Sequence, residues 1–478
     1  MNIFRYSLFV LISFSALAQK PAKPSQSPAR PQSQTPPAPT PTPVQRALQR
    51  TVSISTLPQP GEQLDLTDAL ATAVEKNYQI RIARSQQLIS VTNNVRANAG
   101  FAPLVTFGFQ QNFLLQNFRQ DFFNATQPPQ RVYGAFNRNF SIGPNASYTL
   151  FNGFGRQITL QRLGEVVRQS EAFTRANMES TLAQTTTAYY DVVRQLQRLI
   201  AFRQALDISR ERLDLARATY EVGTRSKVDF LSAQVDYNAD SAALLAQEQS
   251  VRNAKIQINT LLVREPATEF AVRDTIIART DINLSQLRES LNAQNPQVIQ
   301  ALISQKIATL NTQLTKSAML PQVDALGGYA FNPVDNEAGF GARRGRNDGL
   351  TVGVRLSMPI YNGGNLRRQT TVAQINERVV AEQLADLRLQ LVASLEQTYQ
   401  TYRNSLTLLN LEVQNYQIAT QNIDIAYERY RVGNSTAVEF RDVQRNAVQA
   451  QTRLFDASFN AKAAEIELLR LSSTITKP

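Results

Sequence analysis

The stretch Tyr220-Glu-Val-Gly-Thr-Arg-Ser-Lys-Val-Asp-Phe-Leu231 recurs 210 residues later as Tyr430-Arg-Val-Gly-Asn-Ser-Thr-Ala-Val-Glu-Phe-Arg441. Tyr, Val, Gly, Val, an acidic residue and Phe return in register. Each copy lies between two long helical patterns and carries a glycine, Gly223 or Gly433, where a reversing chain needs a permissive backbone. We therefore predict that both copies are tips of helical hairpins and that the chain is one architecture built twice.

The composition excludes several kinds of chemistry. The 478-residue chain has no Cys and no His, which rules out disulfides, thiolate nucleophiles, Cys/His zinc sites and His-based catalysis. Carboxylate-only chemistry stays open in principle, but no acidic pair stands out. We therefore predict no enzyme activity, no metal and no cofactor. The formal net charge of +12 is spread too diffusely to predict nucleic-acid binding.

The N-terminal residues read as export and spacer segments. Residues 1–18 have a basic start, an apolar run to Leu17 and an Ala16-Leu17-Ala18 ending, which together predict a secretory signal peptide. Residue 19 is Gln rather than Cys, so no lipoprotein anchor is expected. Residues 19–63 are rich in Pro, Gln, Ser and Thr and predict a disordered linker. No later apolar run approaches the roughly 20 residues of a membrane-spanning helix.

The rest of the chain divides into two repeats, residues 64–282 and 283–471, and a C-terminal tail, residues 472–478. Each repeat has a helix beginning near Leu66 or Leu284, two strands, a tight turn, a long helix to the tip and a return helix. The helix over residues 156–221 would measure roughly 100 Å at about 1.5 Å per residue, and the two shorter helices of a repeat, laid end to end, match it. The folded N-terminus, residues 264–281 and the C-terminal tail should then gather at mid-height.

The strand patterns begin after Pro103 and Pro321, and polar loops at about residues 116–139 and 332–349 join the strands of each pair. Strict apolar alternation over about ten residues is typical of lipid-facing barrel strands, although a soluble antiparallel sheet alternates equally well. The alternating residues are Leu350, Val352, Val354, Leu356, Met358 and Ile360, matched in the first repeat by Phe140, Ile142, Pro144, Ala146, Tyr148 and Leu150.

The long helices carry heptad stripes that predict coiled-coil packing. Four strands cannot close a barrel, and lipid does not tolerate unpaired sheet edges, so an oligomer is expected with eight, twelve or sixteen strands. The stripes are Val192, Leu199, Leu206, Leu213 and Tyr220 in the first repeat, and Tyr402, Leu409, Tyr416, Ile423 and Tyr430 in the second.

The ordered set of features resembles the TolC family of outer-membrane efflux proteins over residues 64–471. The resemblance rests on the two tip motifs, the Phe151-Asn-Gly153 and Tyr361-Asn-Gly363 turns, the segment Leu261-Leu-Val-Arg-Glu-Pro266 and the duplication itself. The resemblance implies a mixed α and β membrane protein, a homotrimer in which long hairpins form an α-helical barrel and four strands per chain contribute to a shared 12-stranded β-barrel. It implies an outer-membrane location with a long periplasmic extension.

The resemblance also implies the function and its partners. The chain would be the gated exit duct of a tripartite efflux or type I secretion system, coupled to a periplasmic adaptor protein and an inner-membrane pump of the RND or ABC type, and surrounded by outer-membrane lipid. Two alternatives stay open: an exported coiled-coil structural or adhesive protein, and a constitutively open porin. Membrane fractionation separates the first alternative from the duct, and conductance separates the second.

The site residues implied by the resemblance lie at the tips. Tyr430 resembles the gate tyrosine and Asp229 its acidic partner, while Ser435 stands where the family can place an arginine and Arg225 holds the equivalent place in the first repeat. Glu439 and Asp442 match positions of acidic rings at the tunnel entrance, although acids on a helix face also serve solubility. The full set of predicted gate and tip residues is Tyr220, Gly223, Arg225, Asp229, Tyr430, Gly433 and Ser435.

Overall fold

The computed structural model describes Gln59 and residues 61–121, 123, 128–336 and 343–475. All of them belong to one compact unit, Pro43–Pro478. The predicted signal peptide, most of the predicted linker and the last three residues of the predicted tail lie outside the described residues.

The helices follow the predicted order in both repeats. The first repeat contains α1 (Leu66–Lys76), α2 (Tyr78–Asn93), a short π-helix (Ala97–Phe101), α3 (Gly155–Glu221) and α4 (Lys227–Leu261). The second contains α5 (Leu284–Gln294), α6 (Pro296–Ser317), α7 (Asn365–Arg431) and α8 (Ala437–Leu471). Helices α3 and α7 have 67 residues each, about 100 Å at the helical rise, as the sequence predicted.

The first helix of each repeat is broken, which the sequence analysis did not predict. Asn77 ends α1 with extended backbone, and its side-chain oxygen accepts a hydrogen bond from the backbone N–H of Gln79. Asn295 does the same between α5 and α6, where Pro296 occupies the first helical turn. A side chain that caps the next helix makes a local break stable.

Four long strands form one antiparallel sheet in the order β2-β3-β5-β6. They are β2 (Leu104–Gln120), β3 (Gln130–Asn152), β5 (Gln322–Asn336) and β6 (Arg344–Ser357). Two further strands, β1 (Glu62–Gln63) and β4 (Phe270–Ala271), pair in parallel apart from this sheet. The predicted loops were too long, because the strands continue into residues 116–120, 130–139, 332–336 and 344–349. Polar residues there still pair across the ladder.

The sheet has one apolar and one polar face. Val352 lies opposite Gly327, Gly327 opposite Ala146, and Ala146 opposite Val105 in one cross-strand row. The adjacent row, on the other face, is Thr351, Gly328, Asn145 and Thr106. Side chains alternate between faces along a strand. The predicted apolar residues from Leu350 to Leu356 therefore share one face, and Val352 on it is 77% exposed in the single chain. The predicted stripe was too long, because β6 ends at Ser357, before Met358 and Ile360.

The long and short helices pack as one layer of four columns. Helix α3 contacts α2 and α4 on one side and α6 and α8 on the other, and α7 packs against α6 and α8. Helix α2 stands above α4 and α6 above α8, so the columns alternate between composite and continuous helices. The collinear pairs come from the same repeat, as the end-to-end match of the two shorter helices predicted.

The predicted mid-height belt is confirmed where it is described. Strand β1 pairs with β4, and the Gln59 side chain both donates to and accepts from the backbone of Val272. The described structure thus includes Gln59 and residues 61–63, which the sequence analysis assigned to the linker. Tyr189 on α3 donates to the carbonyl of Leu64 at 3.2 Å and to the Asp274 carboxylate. Burial, followed by the hydrogen bond to Asp274, raises the pKa of Tyr189 well above its ordinary value.

Within the described ranges, none of the helices combines the length and the apolar character that crossing a membrane requires.

Candidate functional site

The two repeated motifs form hairpin turns of the same geometry. Gly223 has φ 77° and Gly433 has φ 80°, a left-handed conformation that favours glycine. The N–H of each glycine donates to the carbonyl of the motif tyrosine, at 2.9 Å for Tyr220 and 3.1 Å for Tyr430. The prediction that both motifs are hairpin tips is therefore confirmed.

The acidic residue of each motif begins the return helix. The hydroxyl of Ser226 accepts from the backbone N–H of Asp229, and that of Thr436 from the backbone N–H of Glu439, both at 3.2 Å. A carboxylate in the first turn also suits the positive end of the helix dipole. The acid of each motif thus stands in the first turn of a helix that Ser226 or Thr436 caps.

The Tyr and Phe of each motif stack across their own hairpin. The ring centroids of Tyr220 and Phe230 are 6.0 Å apart, and those of Tyr430 and Phe440 are 5.3 Å apart. The two tips differ in burial, because Tyr220 is 38% exposed and Tyr430 only 1%. The second tip packs into a cluster with apolar residues of α3, the helix of the other hairpin.

The structure brings Arg225 and Tyr430 together. The Arg225 guanidinium lies 4.7 Å from the centroid of the Tyr430 ring, and its Nη2 is 3.5 Å from the Tyr430 carbonyl oxygen. A cation over an aromatic face contributes about 1 kcal/mol when partly exposed. The predicted acidic partner, Asp229, is not among the described contacts of Tyr430. The hydroxyl of Ser435 donates to the carbonyl of the neighbouring Thr436, within its own hairpin.

A second contact between the hairpins joins Tyr427 of α7 to Glu211 of α3. The Tyr427 hydroxyl donates to the carboxylate at 2.7 Å. This hydrogen bond, aided by burial, raises the pKa of Tyr427 above its ordinary value. The hydroxyl therefore stays a donor throughout the neutral range.

A group of charged contacts joins the start of α8 to α3 and α4, about three turns above the first tip. Arg441 of α8 binds the Asp240 carboxylate of α4 through two parallel hydrogen bonds, at 2.6 and 2.8 Å, and lies 3.5 Å from Asp236. Arg212 of α3 pairs with the same Asp236. The hydrogen bond from Arg441 to Asp240 raises the pKa of the guanidinium above its ordinary value. Such two-pronged Arg–carboxylate pairs are among the stronger protein hydrogen bonds.

Two uncharged side chains complete this group. Gln444 of α8 donates to the Ala205 carbonyl at 3.0 Å and to the Ser209 hydroxyl at 2.9 Å. Ser209 also bonds Asp240. We name the six residues Ser209, Arg212, Asp236, Asp240, Arg441 and Gln444 the inter-hairpin cluster. Its two arginines and two aspartates balance in charge, and the Arg212 side chain is only 2% exposed.

The sequence analysis missed this cluster. Asp236 and Asp240 are four residues apart on one helical face, which is a common solvated pattern, and their partner Arg441 follows about 200 positions later. The end of the second motif, where Phe-Arg441 replaces the Phe-Leu231 of the first, was the one available signal.

The two predicted ring acids each have a cationic partner. Glu439 pairs with Arg429 at 3.3 Å, and Asp442 pairs with Arg445 at 2.8 Å. All four side chains are about half exposed, so solvent weakens these pairs. Across the part of the chain that the structure describes, acidic side chains form no group that could hold a metal ion.

Known proteins resemble this chain over most of its length. The family profile described as "Outer membrane efflux protein" matches residues 61–263 and 287–473. The chain is 23% identical to the outer membrane protein TolC of Vibrio cholerae, over 70% of this chain and 77% of that protein. It is 23% identical to the outer membrane efflux protein BepC of Brucella suis, over 86% of each.

Solved structures show the same fold at lower identity. The CmeC outer membrane channel of Campylobacter jejuni superposes with a TM-score of 0.71 at 13% identity, over 88% of this chain and 91% of that one. The outer membrane protein VceC of Vibrio cholerae gives a TM-score of 0.68 at 16% identity, over 85% and 95% of the two chains. The long hairpins and the sheet are thus arranged as in known outer membrane channels.

Proposed function

Because the chain belongs to the outer membrane efflux protein family, matched over residues 61–263 and 287–473, we propose that it is the gated exit duct of a tripartite efflux or type I secretion system. The family consists of channels rather than enzymes, and its members lie in the outer membrane with a helical tunnel in the periplasm. The proposal adds three finer points: a trimeric assembly, a gate at the hairpin tips and coupling to an adaptor and an inner-membrane pump.

The observation that carries the assembly is the uncovered edge of α7. On the last column of the layer, Leu411, Ile418 and Ile425 of α7 and its C-cap residue Val432 are seven residues apart and 51–64% exposed. A strict apolar heptad stripe needs a partner helix. The opposite edge column offers one, because Val228 and Val235 of α4 are also exposed and seven residues apart.

The sheet supports the same closure. Strands β2 and β6 are its outer strands and run for 17 and 14 residues. Their outer edges must pair with another copy, since lipid cannot satisfy backbone N–H and C=O groups. Edge-to-edge joining of three copies gives twelve strands and twelve helical columns, as the family resemblance implies. A mass measurement would distinguish this trimer from a dimer or a tetramer.

The helical layer has one face suited to an aqueous passage. The mid-height belt covers the side of α3 that carries Tyr189 and Val192, so this side is the outside of a ring. The opposite side of α3 carries Gln184, Asp191 and Arg194 and borders a recess of about 680 Å³. Charged and amide side chains on this face favour passage of hydrated solutes.

The tip contacts support a closed resting state. Arg441 joins α8 to α4, Arg225 joins the first tip to Tyr430, and Tyr427 joins α7 to α3. Separating the two hairpins breaks all three. Docking of an adaptor and pump of the RND or ABC type at the tips would supply the free energy for that separation.

The test combines fractionation with conductance. The purified protein should be recovered from outer membranes as a trimer by mass and should show a low conductance in planar bilayers. A soluble fibre would contradict the proposal and favour the structural or adhesive alternative. A large conductance unchanged by substitutions in the inter-hairpin cluster would favour an open porin instead.

A further inference from the structure

The apolar face of the sheet ends in a patch of arginines. In register across three strands, Arg138 of β3 lies opposite Asp335 of β5, and Asp335 lies opposite Arg344 of β6. Two residues along β6, Arg346 lies opposite Pro333. Because side chains alternate between faces, these residues share the face of Leu350, Val352, Val354 and Leu356. We name Arg138, Asp335, Arg344, Arg346 and Asp348 the outer-rim patch.

The patch lies at the strand ends remote from the helices. Strand β6 begins at Arg344 and runs through its apolar residues to Ser357, ahead of the turn into α7. With the helices in the periplasm, the patch lies at the far end of the lipid-facing band, at the level of the outer leaflet headgroups. This placement rests on the outer-membrane orientation of the proposed function.

The arginines keep donors available for an anion. Arg344 meets Asp335 through Nε at 3.5 Å, and Arg346 meets Asp348 through Nε at 2.8 Å. In the described contacts neither uses its terminal amino groups for an acid. The Arg344 and Arg346 side chains are 77% and 65% exposed. Arg138 stacks on the Phe136 ring at 5.2 Å, and three arginines against two aspartates leave the patch cationic.

Aromatic rings make a recess beside these donors. Phe140 and Phe331 have centroids 6.3 Å apart, and Arg346 lies 4.7 Å from the centroid of Phe331. The recess measures about 500 Å³ and is bordered by Arg138, Phe140, Phe331 and Arg344. Guanidinium groups next to aromatic rings at a membrane surface can bind a phosphate and the apolar root of the same lipid.

We propose that the outer-rim patch binds a phosphorylated glycolipid of the outer leaflet. The phosphate accepts from the terminal amino groups of Arg344 and Arg346, and the first carbons of an acyl chain pack on Phe140 and Phe331. The site continues the lipid-facing band and contains apolar rings, which a free phosphate would not use. Basic clusters at a membrane surface bind anionic lipid headgroups in the same way.

The test measures lipid binding by the assembled protein in detergent. Labelled bisphosphorylated lipid A is titrated into the wild type, the double variant Arg344→Gln/Arg346→Gln and the matched control Arg355→Gln. Arg355 is on the same strand but on the polar face, opposite Asp324. The double variant should bind at least about tenfold more weakly, since each lost surface arginine weakens an anionic lipid several-fold. The control should bind like the wild type.

Two probes separate the possible ligands. Lipid A without its phosphates should bind the wild type as weakly as lipid A binds the double variant, and inorganic phosphate at the same concentration should not displace the label. Equal binding of the dephosphorylated lipid, displacement by inorganic phosphate, or equal loss in Arg355→Gln would each overturn the proposal.

Folding and function are followed separately. If the double variant does not assemble, lipid binding by Arg344→Lys/Arg346→Lys and by Arg138→Gln tests the site instead. The Lys variant should keep most of the binding, and Arg138→Gln should lose part of it; the reverse order contradicts the site. Conductance measured on the same preparations reports on the duct itself, so a failed lipid site leaves normal conductance.

Discussion

The side-chain amide of Asn77 donates a hydrogen bond to the backbone carbonyl of Leu261 at 2.9 Å, 184 residues along the chain. Leu261 is the last residue of α4, and Asn77 caps α2, so one buried amide joins two helices end to end. Asn295 repeats the arrangement with Leu471, the last residue of α8, also at 2.9 Å. The composite columns of the layer thus depend on two equivalent asparagines.

Substituting these asparagines should weaken the columns. Asn295→Ala removes a helix cap and leaves the Leu471 carbonyl without its donor inside the protein, which together cost about 2 kcal/mol. The expected result is a lower urea midpoint of unfolding. Asn292→Ala is the matched control, because the Asn292 amide bonds an exposed carbonyl within its own helix. Equal midpoints for the two variants would show that the hydrogen bond between Asn295 and Leu471 adds no stability.

The contact between Asn77 and Leu261 shows which parts of the fold the sequence could predict and which it could not. Helix lengths, heptad stripes and the Tyr-x-Val-Gly tips are local signals, and the structure places α3 and both tips within a residue or two of the prediction. Asn77 did not indicate the break between α1 and α2, because an asparagine within a helical pattern is usually a solvated side chain. Its role depends on Leu261, and only the three-dimensional fold brings that carbonyl to it.

The site was predicted less well for the same reason. Position in the motif identified Tyr430 and Arg225, which do meet. Asp229 was predicted as the partner of Tyr430, and in this structure its backbone N–H donates to the Ser226 hydroxyl that caps α4. The inter-hairpin cluster joins residues about 30 and 200 positions apart on three helices, and a single sequence has no pattern for such a contact.

Breaking the inter-hairpin cluster should open the duct. Arg441→Ala leaves Asp236 and Asp240 together without one cation, which should destabilise the closed pairing by about 2 kcal/mol after allowance for partial exposure. We expect a several-fold higher conductance in planar bilayers and entry of a large antibiotic into cells. Arg445→Ala, one turn further along α8, removes an exposed arginine paired within its own helix and should keep the low conductance and the antibiotic exclusion of the wild type.

Charge reversal tests whether the pair itself is responsible. Arg441→Asp should open the duct, and adding Asp240→Arg should restore the low conductance. If both single and double variants conduct like the wild type, Arg441 does not hold the hairpins together.

The acids at the entrance should bind cations more strongly once their arginines are removed. Arg429 and Arg445 offset Glu439 and Asp442 in each chain. Arg429→Gln/Arg445→Gln should lower the concentration of a polyvalent cation that blocks the channel, because three copies of two unpaired acids then face one lumen. Glu439→Ala/Asp442→Ala should raise that concentration. If the polyvalent cation blocked Glu439→Ala/Asp442→Ala as well as the wild type, neither acid would face the lumen.

Assembly should depend on the exposed stripe of α7. Ile418→Asp places an unpaired charge where a second copy is expected to pack, at a cost of about 3 kcal/mol per interface. The expected result is monomer by native mass measurement. Gln417→Asp, the adjacent residue on another face of the same helix, adds the same charge and should leave the assembly intact. Intact assemblies of Ile418→Asp would place the interface elsewhere.

The two faces of β6 should respond in opposite ways to one added charge. Val352 and Thr351 are neighbours near the middle of the strand, but Val352 belongs to the apolar face and Thr351 to the polar one. An arginine on a lipid-facing barrel position costs about 2–4 kcal/mol near the bilayer centre, whereas one in an aqueous lumen costs little. Val352→Arg should therefore reduce the amount of protein recovered from outer membranes, and Thr351→Arg should insert normally and change only ion selectivity. Equal insertion of both variants would mean that the apolar face does not contact lipid, which would favour the soluble sheet of the structural or adhesive alternative.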